Sequence, residues 1–222
     1  MIFFGYTAFM THAEIIEKRK MFALLTLYWT IGYLGCNWLN TYRGVTYEVS
    51  FLFERDIPFV PAFILGYVLV YVSIIMLYLL SDTIELFRRA WMGIFILSTG
   101  SFIIFLLFPV RMALRPEIDA WETRTILDWW AKLYFMIDKP YNTIPSLHAA
   151  FPTIAVLLVW KTHHVARWFL LAMMAVIMVS VIFMKQHYIM DVLAGAAAAV
   201  IAYSVTLRTE PRWRKWFEKR RS

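Results

Sequence analysis

Cysteine and charge are what this chain has least of. A single cysteine, Cys36, excludes an intramolecular disulfide, so no covalent cross-link stands in for packing. Inside an apolar run, that thiol is expected to pack rather than react. Charged residues make up only 17% of the 222, where a soluble domain carries about 25%. That is too little polar surface for an ordinary water-soluble enzyme. Internal repeats, low-complexity tracts and a polar second domain are all missing, so the chain reads as one domain over residues 1–222.

What fills the space is apolar: 61% of the residues, with a mean hydropathy of +0.62. The excess lies in six runs, at approximately 21–40, 57–80, 90–109, 143–160, 166–184 and 187–207. About 20 residues at 1.5 Å rise cross a hydrocarbon layer of ~30 Å. The expected fold is therefore all-α, an integral membrane bundle of six transmembrane helices. The 22 basic and 15 acidic residues give a net charge of +7. Because the basic residues gather at the ends of apolar runs, the expected partner is an anionic membrane surface and not nucleic acid.

Six spans put both termini on one side of the membrane. That side would hold Lys18, Arg19, Lys20, Arg88, Arg89, Lys161, Arg167 and seven more from Arg208 to Arg221. Basic loops stay cytoplasmic, so both termini are expected there, in a plasma or inner membrane, with 110–142 on the outer, periplasmic or lumenal side. Within that loop WETRTILDWWAKLYFMI reads as an interfacial helix. Its Trp121, Trp129, Trp130, Tyr134 and Phe135 suit the headgroup layer or cap the bundle. The basic stretch 212–221 is expected along the inner surface. MIFFGYTAFM lacks the leading basic residues of a removable signal, and residues 1–17 read as an interfacial or re-entrant segment.

Ionisable groups near a bilayer are costly and point to function. Three clusters stand out: LRPEI at 114–118, YNTIPSLHAA at 141–150 and KQHYIMDVLAG at 185–195. Under six spans all three fall at outer helix ends. In the second, Asn142 or Thr143 can cap a helix with Pro145 in its first turn. Ser146 and His148 then sit where free N–H groups and the helix dipole favour an anion. In the third, His187 and Asp191 are spaced to share one helix face. A carboxylate on one imidazole nitrogen sets the tautomer and frees the other as base or nucleophile.

Rival readings use the same residues. Two histidines and a carboxylate are legitimate zinc ligands, but HExxH is missing and Arg115 or Lys185 would bring positive charge, which favours an anion. A membrane transporter or channel would use the cluster as a proton relay. A bare structural role is a capped helix beside a buried polar pair. His163 and His164, in the opposite KTHHVAR turn, read as solvated loop residues. Met173, Met174, Met178 and Met184 read as packing.

PSLH followed by HYIMDVLAG resembles the type-2 phosphatidic acid phosphatase superfamily, whose second motif is PSGH-like and whose third is SR-x5-H-x3-D. The wording YNTIPSLHAAFPT, KQHYIMDVLAG and DIPFVP is more similar to the branch containing inositol phosphorylceramide synthase. The resemblance covers residues from about 50 to 200. It implies a lipid phosphatase or phosphotransferase that acts on a phospholipid or other lipid phosphate, passing the phosphoryl group to water or a lipid hydroxyl. By that resemblance His187 is the nucleophile forming a phosphohistidine, Asp191 orients it and His148 is the general acid and base. Ser146 binds phosphate, and no metal or other cofactor is expected. Arg115-Pro116 matches the end of the first motif, K-x6-RP. Phe108 stands at its lysine position, and Val181, after Ser180, replaces the third motif's arginine. Lys185 and Arg111 are the candidate substitute cations.

Overall fold

The computed structural model describes residues 10–118 and 121–219. Seven helices carry the fold and no strand is present among the described residues: α1 His12–Tyr42, α2 Pro61–Leu80, α3 Ile84–Leu107, α4 Ile126–Ile137, α5 Leu147–Val159, α6 Ala166–Phe183 and α7 Ile189–Lys219. Most starts have a local cause. Thr11 and Thr125 open α1 and α4 with reciprocal capping boxes, Thr83 caps α3, and Pro61 opens α2 with a 3-10 turn.

Four helices, α2, α3, α6 and α7, are long and apolar enough to cross a membrane. The run at 21–40 lies inside α1, whose first turns hold charged residues. The run at 143–160 forms a helix only over Leu147–Val159, thirteen residues, because 143–146 is spent approaching its cap. Of the expected 1–17 segment, residues 1–9 lie outside the described residues, and 12–17 begin α1 instead. The 212–221 stretch continues α7 through Pro211 to Lys219, and its last residues lie outside the described ones.

Helix α5 is the centre. Eleven of its thirteen residues are buried. Ala149, Ala150 and Ala155 leave room for α6 and α7 to approach closely, while α1 packs along α3 on the far side. Outward faces carry Leu27, Ile31, Leu79, Ile103, Val179 and Ile201, all well exposed, as apolar surroundings require.

The two ends differ in chemistry. At one, Arg88 pairs with Glu17 at 2.5 Å, Arg89 with Glu210 at 2.8 Å, and Lys18 donates to the Ser81 carbonyl at 2.7 Å. At the other, Asn40 donates to the Phe105 carbonyl and to Asn142, whose own amide donates to the Tyr33 carbonyl. The 110–118 and 138–146 segments lie at this second end, over the C-terminal end of α1.

Candidate active site

The second motif enters its helix later than the sequence suggests. Neither Asn142 nor Thr143 caps α5. Asn142 adopts φ 59°, a left-handed value asparagine tolerates, and bonds α1. Thr143 donates to the Val110 carbonyl. Ser146 is the cap, its Oγ accepting from Ala149 N at 3.4 Å, so Pro145 precedes the cap. His148 is the second helical residue, where the backbone N–H has no helical acceptor. Pro152, four residues on, has no N–H to give the His148 carbonyl.

The third motif also differs from a simple helix face. Helix α7 begins at Ile189, so His187 lies in the loop before it and only Asp191 is helical. Asp191 Oδ2 accepts from the Tyr188 N–H at 2.9 Å, closing the helix start, and stands 3.5 Å from His187 Nδ1. The carboxylate thus caps the helix and stands beside the imidazole, whose Nδ1 makes no hydrogen bond among the described residues. His187 Nε2 faces His148 Nδ1 at 3.3 Å. Carboxylate, imidazole and imidazole stand in series and not around a common centre. Asp191 is fully buried, His187 nearly so, and His148 partly open.

Two ties hold the motifs together. The Ser146 N–H donates to the Asp191 main-chain oxygen at 3.0 Å. Gly195, one turn beyond Asp191, lies so close that a Cβ there would collide with the Ser146 carbonyl oxygen. The glycine of DVLAG is therefore a close-approach residue.

The candidate cations separate. Arg115 lies beside the pair: Nη1 donates to the Asp138 carbonyl at 2.6 Å, Nη2 to Gln186 Oε1, and its guanidinium covers the Phe135 ring at 4.4 Å. Burial lowers its pKa, and Asp138 opposes that. Its Nε and the neighbouring Gln186 Nε2 are buried donors with no acceptor among the described residues. Lys185, in a left-handed conformation (φ 51°), turns away and donates Nζ to the Glu54 carbonyl at 2.7 Å. Burial lowers its pKa, with Glu54 and Asp56 pulling the other way. The Arg111 side chain is exposed. Ser180 bonds the Val176 carbonyl within α6, and Phe108 stacks on Tyr47.

Three residues at the site escaped the sequence reading. Glu54 is buried, and its carboxylate accepts from Ile189 N and Phe51 N, both at 2.6 Å, clamping the 51–55 turn onto the start of α7. Gln186 joins Arg115 to the loop of His187. Asp138 accepts from Tyr33 Oη at 2.8 Å and Tyr67 Oη at 3.4 Å, and the Tyr67 ring lies 4.2 Å from the His148 ring, centre to centre. Burial pushes the Asp138 carboxyl up from its ordinary value, against Arg115, Tyr33 and His187. A signal for it existed. Asp138 is the C-cap of α4, where the helix dipole disfavours negative charge.

The aromatic residues of α4 divide. Phe135 is buried, and Trp121, before the helix, packs on it and on Phe59. Trp129, Met136 and Ile137 point outward. At the opposite end His163 stands 3.9 Å from Asp82, far from this cluster.

Over 83 residues the chain is 36% identical to a protein of Bacteroides thetaiotaomicron named phosphoinositol dihydroceramide synthase. That match covers 36% of this chain and 26% of the relative, so the chain spans about a quarter of the relative's length. No solved structure matches. Residues 55–205 match the PAP2 superfamily, a stretch that holds His148, His187 and Asp191 together, and the chain therefore belongs to that superfamily.

Proposed function

We propose that this protein is a membrane lipid phosphatase or phosphotransferase working through a phosphohistidine on His187. The observation that carries it is the series Asp191, His187, His148, with one face of the His187 imidazole on the carboxylate and the other on the second imidazole. With the proton on Nδ1, beside Asp191, Nε2 keeps the lone pair that attacks phosphorus as the phosphate displaces His148 Nδ1 from it. The bond from phosphorus to the leaving oxygen breaks, and His148 gives that oxygen its proton. In the second step His148 takes the proton from an incoming hydroxyl, whose oxygen attacks phosphorus. The N–P bond breaks and His187 is restored. Water as acceptor yields inorganic phosphate; a lipid hydroxyl yields a new phospholipid.

Arg115, with Gln186 and the free N–H groups at the start of α5, holds the transferring phosphate. Ser146 sets that helix start, Arg111 stands at the rim, and Lys185 acts on the site through Glu54. The mechanism draws its positive charge from arginine and calls for no metal. Six helices, α1 to α3 and α5 to α7, form the membrane bundle, with both termini cytoplasmic and the imidazole pair at the outer end. The basic cluster at the opposite end supports that orientation. Helix α4 lies in the interface, its outward Trp129 among the headgroups.

Purified protein incubated with phosphomonoester and phosphodiester lipids, then quenched in base and analysed by mass spectrometry, tests the reading. Phosphate is expected on His187, together with released phosphate or a new phospholipid. Full turnover by His187→Ala protein on a responsive substrate would sink it. Flux that follows a gradient without any product would favour the proton-relay transporter instead.

A further inference from the structure

A cavity of about 540 Å³ opens beside the imidazole pair. Helix α1 packs along α3, leaving space between α1 and the faces of α2 and α5. The two ends of this space differ. At one, His148 and Asp138 line it together with the tyrosines Tyr33, Tyr67 and Tyr134. From there it runs between apolar side chains to Phe22, Tyr78 and Ala90, near the basic end of the bundle. From Tyr67 to Tyr78, both on α2, the wall is about 16 Å long at 1.5 Å per residue. That is about the depth of one leaflet's hydrocarbon, half of ~30 Å.

Charge narrows what fits. Among the described residues Asp138 is the one acidic residue in the lining, and no lysine or arginine joins it. Inside the cavity an anionic head would meet that carboxylate, while the cation that offsets it, Arg115, lies outside the lining. A head that carries O–H or N–H groups finds Asp138 as acceptor. The volume lies within the ~300–1,000 Å³ of pockets for drug-sized ligands and suits one chain. The side of entry matters too: His148 lines the cavity, whereas the nucleophile His187 does not.

We propose that this cavity binds a single long hydrocarbon chain whose neutral or cationic head presents a hydroxyl, with Asp138 as the positioning residue that delivers that hydroxyl to His148. The proposal rests on the phosphohistidine reading for what happens next, since a hydroxyl at His148 is the leaving or accepting group of that chemistry. The residues at the far end set the longest chain accepted. Ala90 is the gap there, and Phe22 is part of its wall.

Binding and turnover are measured separately. Straight-chain primary alcohols of increasing length are titrated into full-length His187→Ala protein by native mass spectrometry, so turnover plays no part. Affinity is expected to rise with length to a cut-off. Ala90→Phe moves that cut-off to shorter chains and Phe22→Ala to longer ones, each methylene at the limit counting for about tenfold or more. Asp138→Asn weakens every length about tenfold without moving the cut-off. In the active protein it raises KM for the alcohol acceptor while kcat at saturation holds. A cut-off unchanged in both cavity variants, or an Asp138→Asn protein that binds alcohols as tightly as its parent, overturns the proposal. Phosphohistidine trapping reports on the catalytic reading alone, so the two can fail independently.

Discussion

The main-chain N–H of Ser146 donates to the main-chain oxygen of Asp191 at 3.0 Å. Through this bond the helix start carrying His148 and the helix start carrying Asp191 are joined backbone to backbone, and both imidazoles inherit their separation from it. The contact requires α7 to lie against the α5 cap with nothing between them.

Gly195 is what allows that approach, so Gly195→Ala tests it. The added Cβ meets the Ser146 carbonyl oxygen, rigid backbone that cannot swing aside. Overpacking of this kind costs about 1–3 kcal/mol. A lower thermal midpoint in detergent and reduced phosphohistidine formation are expected together. Gly100, with nothing within 4 Å of its added Cβ, is the control. Gly100→Ala should hold or gain stability by about 0.5–1 kcal/mol and leave the chemistry unchanged.

The two histidines should fail in different ways. His187→Ala removes the attacking nitrogen, so no phosphorylated protein forms from any donor. His148→Ala removes the proton donor, and rates on ordinary lipid esters fall by about 10²–10⁴. A donor whose leaving oxygen needs no proton should recover the first step in His148→Ala protein alone. Rapid-quench phosphorylation with both donors separates these cases; equal rescue of both variants would contradict the assigned roles.

Asp191→Asn keeps a side-chain oxygen able to accept from the Tyr188 N–H, so the start of α7 should survive. Its amide cannot balance the charge that develops on the His187 ring. Activity is expected to fall about 10²-fold or more with little change in thermal midpoint. Asp191→Ala should lose both activity and stability. Near-parental turnover in the asparagine variant would remove the carboxylate from the mechanism.

Glu54 tests the support beneath the site. Glu54→Ala strands the half-buried Ile189 N–H, an unmet donor costing up to about 1–3 kcal/mol, and releases the Phe51 N–H of an exposed residue to water. The thermal midpoint should drop sharply, and Glu54→Gln should restore part of it, since the amide oxygen replaces one acceptor. An unchanged midpoint in Glu54→Ala would mean the clamp contributes nothing.

Arg115→Lys distinguishes a fork from a point charge. The guanidinium reaches Asp138 and Gln186 at once, whereas a lysine ammonium lacks that planar geometry. Donor KM should rise about tenfold, with stability lowered by loss of the Phe135 ring contact. Equal kinetics for the two side chains would place phosphate binding elsewhere.

Much of the bundle was legible because bilayer crossing is written in continuous apolar runs. Helices α2, α3, α6 and α7 fall where their runs do, and the α4 aromatics announce a helix of their own. His148, His187 and Asp191 stood out because polar groups are expensive beside apolar runs. Their immediate supports were harder to read. Spacing suggested a shared helix face for His187 and Asp191, but the Tyr188 cap starts α7 two residues past the histidine. The same spacing could not tell that Lys185, so near in sequence, would turn to Glu54.

By itself, the sequence determined the apolar solvent, the helical class and the three residues of the proposed chemistry, since each rests on local composition or a short motif. Tertiary structure alone decided that Asp138 meets Tyr33 across 105 residues, that Lys185 meets Glu54 across 131 and that Glu54 meets Ile189 across 135. It also decided that a cavity runs from Asp138 between α1 and α2. Contacts over such separations depend on which helices pack together, and each helix's own hydrophobic pattern says only that it must pack, not against which partner.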